Sequence, residues 1–297
     1  MKGTPGKLLI LLLGLAAGTY FVLQRPGERS STGVSDTMLL SYDSAAVDRI
    51  EIVSPESRIV LAKETGGWQL TEPLRAPADE AAVASAIGTG RSIPAAAPVS
   101  TNPAKRHLFK VDSTGTVVRF FAGGAPAGSI VVGKPGPSFM DTYVRAEGSD
   151  DVLLAQGALG TTLARPVRDW RDKRVVVVSK DAIRSVGYRY GDTTFTLALR
   201  DTVWTVGSIT ADQAAAGSLI GQLSTLQADG FVDTAVTNPG PPVAAIAVEG
   251  TRIEVYRGGD DTKYLVRTSR SPQWFEVQKW RMDPLLKRER EMLPPGS

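Results

Sequence analysis

Apolar and polar positions along this chain fall into three patterns, each predicting a different element. The first is an uncharged run, Leu8 to Leu23 (LLILLLGLAAGTYFVL), with Lys2 and Lys7 before it and Arg25 after it. At the helical rise it spans roughly 24 Å, a little under the roughly 30 Å hydrocarbon core, and Lys7 and Arg25 can snorkel across the difference. It predicts one transmembrane helix, with residues 1–24 as a membrane anchor. A cleaved signal peptide ending near Ala16-Ala17-Gly18 is the rival reading, but the run stays apolar through Tyr20, Phe21, Val22 and Leu23. The early positive charge puts the N-terminus in the cytoplasm and the bulk of the chain outside it. Gly14 and Gly18 form a G-x-x-x-G pair on one face, suited to packing against another membrane helix. Residues 25–40, rich in Ser, Gly and charge, read as a tether.

The second pattern is alternation, and it occurs twice. Val47, Ile50 and Ile52 are the alternating apolar residues of a half-buried strand, and Ile183, Val186 and Tyr188 repeat them at an offset of 136 residues. At the same offset Ile59-Val60-Leu61 meets Phe195-Thr196-Leu197, Trp68 meets Trp204, and Asn102-Pro103 meets Asn238-Pro239. Further on the offset shrinks, Tyr143 matching Tyr264 and Trp170-Arg171 matching Trp280-Arg281, so four of the five tryptophans fall into two pairs. The repeat predicts two modules, residues 41–178 and 179–291, followed by a tail, 292–297.

The third pattern is a helical stripe in each copy. A helix is predicted from Asp79 to about Gly88, and another from Ala211 to about Ala228 carrying Leu219, Ile220, Leu223 and Leu226 on one face. Thr210 and Gln213 stand at capping-box spacing before it. In each copy three short strands precede the helix and further strands follow Asn-Pro. The expected fold is therefore strand-rich α+β: one N-terminal transmembrane helix, then two tandem modules of antiparallel strands plus one helix each.

Composition narrows the chemistry. The 297 residues contain no cysteine and one histidine, which removes thiol nucleophiles, iron–sulfur clusters, lipid-modified cysteine and multi-histidine metal sites. A net charge of +3, from 34 basic against 31 acidic residues, gives no reason to expect nucleic acid. Gly128 to Lys134 resembles a phosphate-binding loop, but Pro135 stands where a Ser or Thr should reach a metal. His107 lies beside Lys105 and Arg106, and no G-x-S-x-G elbow occurs. Asp79 and Glu80, at a helix start, fit a role with the helix dipole. Asp150-Asp151 and Asp260-Asp261 read as hairpin tips rather than calcium loops. No catalytic residue, metal site or cofactor is expected. Trp68 and Trp204 are expected in the module cores; Trp170, Arg171, Trp274, Phe275, Trp280 and Arg281 are the candidate interface residues.

The runs Val47-Asp48-Arg49-Ile50-Glu51-Ile52, Trp68-Gln69-Leu70-Thr71-Glu72-Pro73, Ala78-Asp79-Glu80-Ala81-Ala82-Val83 and Asp169-Trp170-Arg171-Asp172 resemble a bacterial membrane-anchored family of unknown function. Its members are often encoded beside auxiliary components of gliding-motility-type ABC transporters. The resemblance implies a place in the bacterial inner membrane with a periplasmic bulk, and it carries no catalytic residues over. The expected function is a non-enzymatic accessory or scaffold subunit bracing a larger complex, with integral membrane subunits and the bilayer as partners. Whether that complex is a transporter or an energy-transducing one stays open. An extracytoplasmic ligand- or glycan-binding module using Trp274 is the alternative, and an anchored hydrolase a weaker one.

Overall fold

The computed structural model describes residues 38–138 and 140–294. The alternating segments pair into two antiparallel sheets, one per repeat. The first contains β1 (Val47–Val53), β2 (Arg58–Glu64), β3 (Gly67–Glu72), β4 (Ala76–Pro77), β5 (Thr116–Ala122), β6 (Ala125–Pro135), β7 (Asp141–Ala146) and β8 (Leu153–Gln156), in the order β4-β3-β2-β1-β5-β6-β7-β8. The second contains β9 (Ser185–Tyr190), β10 (Thr193–Arg200), β11 (Val203–Val206), β12 (Ile209–Thr210), β13 (Gly230–Val232), β14 (Ala244–Val248), β15 (Thr251–Arg257), β16 (Lys263–Thr268) and β17 (Ser271–Gln278). Its order is β12-β11-β10-β9-β14-β15-β16-β17-β13.

Strands before and after each helix thus join one sheet, because the first strand of each repeat pairs on both sides. Ile50 lies between Leu61 and Phe120, and Val186 between Leu197 and Val248. With a side-chain period of two, that register sends Ile50, Leu61, Phe120, Ile130 and Val144 to one face, where all are fully buried. The same face takes α1 (Glu80–Arg91) and α2 (Leu159–Leu163), through Val83, Leu159 and Leu163. In the second repeat α3 (Gln213–Ser224) and α4 (Lys279–Met282) cover Val186, Leu197, Ile246, Ile253 and Phe275.

The helix starts are set by aspartates. Asp79 accepts the Ala82 amide at 3.0 Å, and Asp212 accepts the amides of Ala214 and Ala215 at 2.9 and 3.0 Å. The cap of α3 is therefore Asp212, not Thr210. Gln213, expected in a capping box, instead clasps the backbone of Trp204, accepting its N–H and donating to its carbonyl, both at 2.9 Å.

Two expectations require correction. The helix predicted over Leu8 to Leu23, with Gly14 and Gly18, lies outside the described residues. Among the described residues no helix is long and apolar enough to cross a membrane; α1 and α3 have 12 residues each, roughly 18 Å of helix. The architecture is thus two large antiparallel sheets without an observed membrane span, and the single-pass placement in the bacterial inner membrane, which rested on that helix, is withdrawn. Among the described residues each module also carries two α-helices rather than one, since a short helix follows its last strand (α2 after β8, α4 after β17) and covers the end of the core. Sheet edges are short as well: β4 and β12 have two residues each, β13 three and β8 four, which leaves little edge for a partner strand.

Candidate functional site

The segment between the modules is bonded to both of them. Its first part pairs with module one: the Asp79 amide donates to the Trp170 carbonyl at 2.8 Å, Arg171 bridges Ala78, and the Asp172 amide donates to Pro77 at 2.9 Å. Its second part pairs with module two: the Ala228 amide donates to Lys173 at 2.7 Å, Arg174 bridges Gln227, and the Val175 amide donates to Leu226 at 3.0 Å. A strap running from 170 to 175 therefore adds to both modules without a free linker residue between them.

Alternate side chains on the strap then serve different cores. The Trp170 indole is fully buried in the first core, its Nε1 donating to the Arg165 carbonyl at 3.2 Å and Arg165 lying over the ring at 4.7 Å. Arg171, only 3% exposed, turns the other way. Its guanidinium stacks 3.7 Å over Phe231, donates twice to Gln273 Oε1 at 2.8 and 2.6 Å, and meets Asp233 at 2.5 Å. A planar cation with five donors is the side chain best able to fill such a site, since it stacks with its face and bonds with its rim.

The C-terminal segment closes the second module in the same manner. The Asp212 amide donates to the Met292 carbonyl at 2.9 Å, as Asp79 does to Trp170. Met292, fully buried, is therefore the counterpart of Trp170; the sequence match to Trp280 follows the Trp-Arg pair and not the structural position. Tyr188 and Tyr190 on β9 hold this segment, their hydroxyls donating to the carbonyls of Leu285 at 3.0 Å and Lys287 at 2.7 Å. Burial pushes both phenols up, Tyr190 to about 12, with Arg288 over its ring opposing the shift.

The two outer sheet faces differ in charge. On the first sheet Glu51 meets Arg49 at 3.1 Å and Arg58 at 3.6 Å, Glu72 meets Arg58 at 3.1 Å, and Glu147 meets Arg119 at 2.6 Å. On the second sheet Arg189, Arg267 and Arg270 have no carboxylate partner among the described residues, and Arg252 has only Glu254, at 3.2 Å.

The residues singled out in the sequence are dispersed. Trp68 and Trp204 are half-buried and pack on the two cores. Phe275 is core, against Phe231 at 5.6 Å. Trp274 is half-buried on the outer face, edge-on to Tyr256 at 5.2 Å, with Arg267 at 5.7 Å. Trp280 is 68% exposed, and Arg281, lying over it, bonds Asp229 at 2.9 Å. His107 is exposed in a 3-10 turn, Pro103–Phe109. Gly128 to Lys134 lies inside β6, where no helix follows to face a phosphate. Asp150 is paired with Arg106, and Asp260 accepts from Thr262. Among the described residues no group of three or more His, Asp or Glu stands at metal-holding distance. Sequence reading missed Phe231, Asp233, Gln273 and Met292, for which no local signal exists. It also missed the outer-face arginines, which the polar phase of β15 and β16 does carry.

A family model described as a domain of unknown function (DUF4340) matches residues 68–244, more than half of the chain. Comparison with curated proteins and with solved structures finds no match in either.

Proposed function

We propose that this chain, which belongs to the DUF4340 family of domains of unknown function, is a non-enzymatic scaffold subunit that braces partner proteins within a larger complex. The observation that carries the reading is the strap from Trp170 to Val175. A brace must transmit position, and a flexible linker between two modules would not. Here the connecting backbone is paired to both modules along its length, and consecutive side chains are buried in each.

The glycan-binding alternative draws less support, because Trp274 has its ring engaged by Tyr256 and flanked by Arg267. A stacking platform needs an open aromatic face. The anchored-hydrolase alternative has nothing convergent to build on: the perturbed acids are tyrosines bonded to backbone carbonyls or to a neighbouring carboxylate, and carboxylates held by arginines or hydroxyls, while the perturbed bases are three arginines and Lys263 dispersed over both sheets and the strap.

The reading is tested by native purification of the tagged full chain at its physiological level, followed by identification of whatever comes with it. A scaffold is expected in stoichiometric association with at least one other protein. Recovery of the chain alone as a monomer overturns it.

A further inference from the structure

The outer face of the second sheet carries two hollows that share Arg252. One, about 370 Å³, has a floor of small side chains, Gly187, Ala245 and Ala247, with Arg189 and Arg252 beside it. The other, about 420 Å³, lies between Arg252, Arg267 and Arg270 at the β16–β17 turn. The register makes them one trough across the strands: Arg189 faces Ala245, Ala245 faces Glu254, Glu254 faces Arg267, and Arg267 faces Trp274. From β9 to β17 that is four inter-strand steps, roughly 19 Å, the length of about six extended residues.

We infer that this trough is a docking site for an acidic, extended segment of a partner protein; the inference rests on the scaffold reading and names its contact surface. Charge carries the argument. Four arginines face one carboxylate here, whereas the same face of the first repeat neutralises Arg49, Arg58 and Arg119 with Glu51, Glu72 and Glu147. Two modules of one fold thus differ on this face in whether their cations are left unpaired, and unpaired guanidinium groups are forks suited to carboxylates. The floor of Gly187, Ala245 and Ala247 lets a backbone lie close while its side chains reach the arginines on either side. Nucleic acid fits less well, because binding single strands also requires open aromatic faces and the ring of Trp274 is already engaged.

The test is fluorescence anisotropy of the full chain with a labelled peptide of about eight residues alternating Glu and Ala. Wild-type protein is expected to bind it, weakening as salt rises from about 50 to about 200 mM. The double variant Arg267→Glu, Arg270→Glu is expected to weaken binding by about tenfold or more, and Arg189→Glu by a smaller factor. Lys63→Glu, an exposed charge reversal on the first module, is expected to leave it unchanged. All these side chains are exposed, so circular dichroism of each variant should match wild type. Absence of peptide binding overturns the site, as does equal binding by the double variant. Tighter binding of an oligothymidylate or an oligouronate of matched length overturns the assignment to a protein segment. Native purification separates this inference from the one beneath it: if wild type and the double variant recover the same partner equally, the scaffold stands and this face is not its dock, whereas if wild type recovers none, the scaffold itself falls.

Discussion

Trp170 and Arg171 are neighbours in the chain whose side chains are buried in different modules, the indole fully enclosed in the first core and the guanidinium 3.7 Å above Phe231 in the second. One peptide unit therefore couples two sheets that otherwise have separate hydrophobic cores. Trp170 sits in an αR bend at the end of a 3-10 turn and Arg171 opens the paired stretch, so the two side chains leave this junction toward different modules.

Arg171→Ala is expected to destabilise the protein by about 1.5–3 kcal/mol, the range for losing hydrogen bonds made by a charged donor. Asp233, whose side chain is 60% exposed, should matter far less, with Asp233→Asn costing about 0–1 kcal/mol. Urea unfolding followed by tryptophan fluorescence and circular dichroism checks both. Beyond the change in midpoint, Arg171→Ala should split one transition into two, since the modules lose a shared buried contact. A single sharp transition in the variant would mean that the strap backbone alone couples them.

Trp170→Ala removes a fully buried indole and is expected to cost about 3–5 kcal/mol. Trp280→Ala, at a side chain 68% exposed, should stay within about 0.5 kcal/mol of wild type. Thermal melts of the two variants separate a core tryptophan from a surface one, although both are followed by arginine.

Asp212→Ala is expected to cost about 1–2 kcal/mol and Asp79→Ala about 0.5–1 kcal/mol. Asp212 accepts from two helix amides where Asp79 accepts from one. Equal losses in urea midpoints would show that the second amide adds nothing.

High pH should loosen the C-terminal segment. The folded pKa of Tyr190 is raised from 10.0 to about 12, and Tyr188 is raised by burial in the same direction. A raised folded pKa means that the unfolded chain ionises first. The stability these phenols contribute is therefore fully present below about pH 10 and is lost as pH climbs toward about 12. Stability measured by urea unfolding across that window should fall, and Tyr190→Phe should flatten the fall while costing about 0.5–1.5 kcal/mol at neutral pH. An unchanged slope in the variant would place the titration elsewhere.

Much of the local structure was legible without coordinates. Alternation located β1 and β9 to within about two residues, because apolar positions recur on the side of each strand that meets the core. β14 was missed because Ala244 to Val248 is apolar at every position, so no alternation marks it. The Thr210 cap was misplaced because several polar residues precede α3, and only backbone geometry selects Asp212.

The repeat, its strands and its two helical stripes are properties of the sequence by itself, since periodicity records which side of each element meets the core. Tertiary structure alone decided the rest. It made Met292, not Trp280, the second-module counterpart of Trp170, because what recurs is a carbonyl beside a helix cap rather than a residue type. It joined Arg171 to Gln273, 102 positions away, and it set Arg189, Ala245, Glu254 and Arg267 in one row across four strands, with Arg252 in the next row opposite Ala247. Such contacts depend on strand order and register, which arise from the packing of whole sheets and leave no mark on any short stretch of chain.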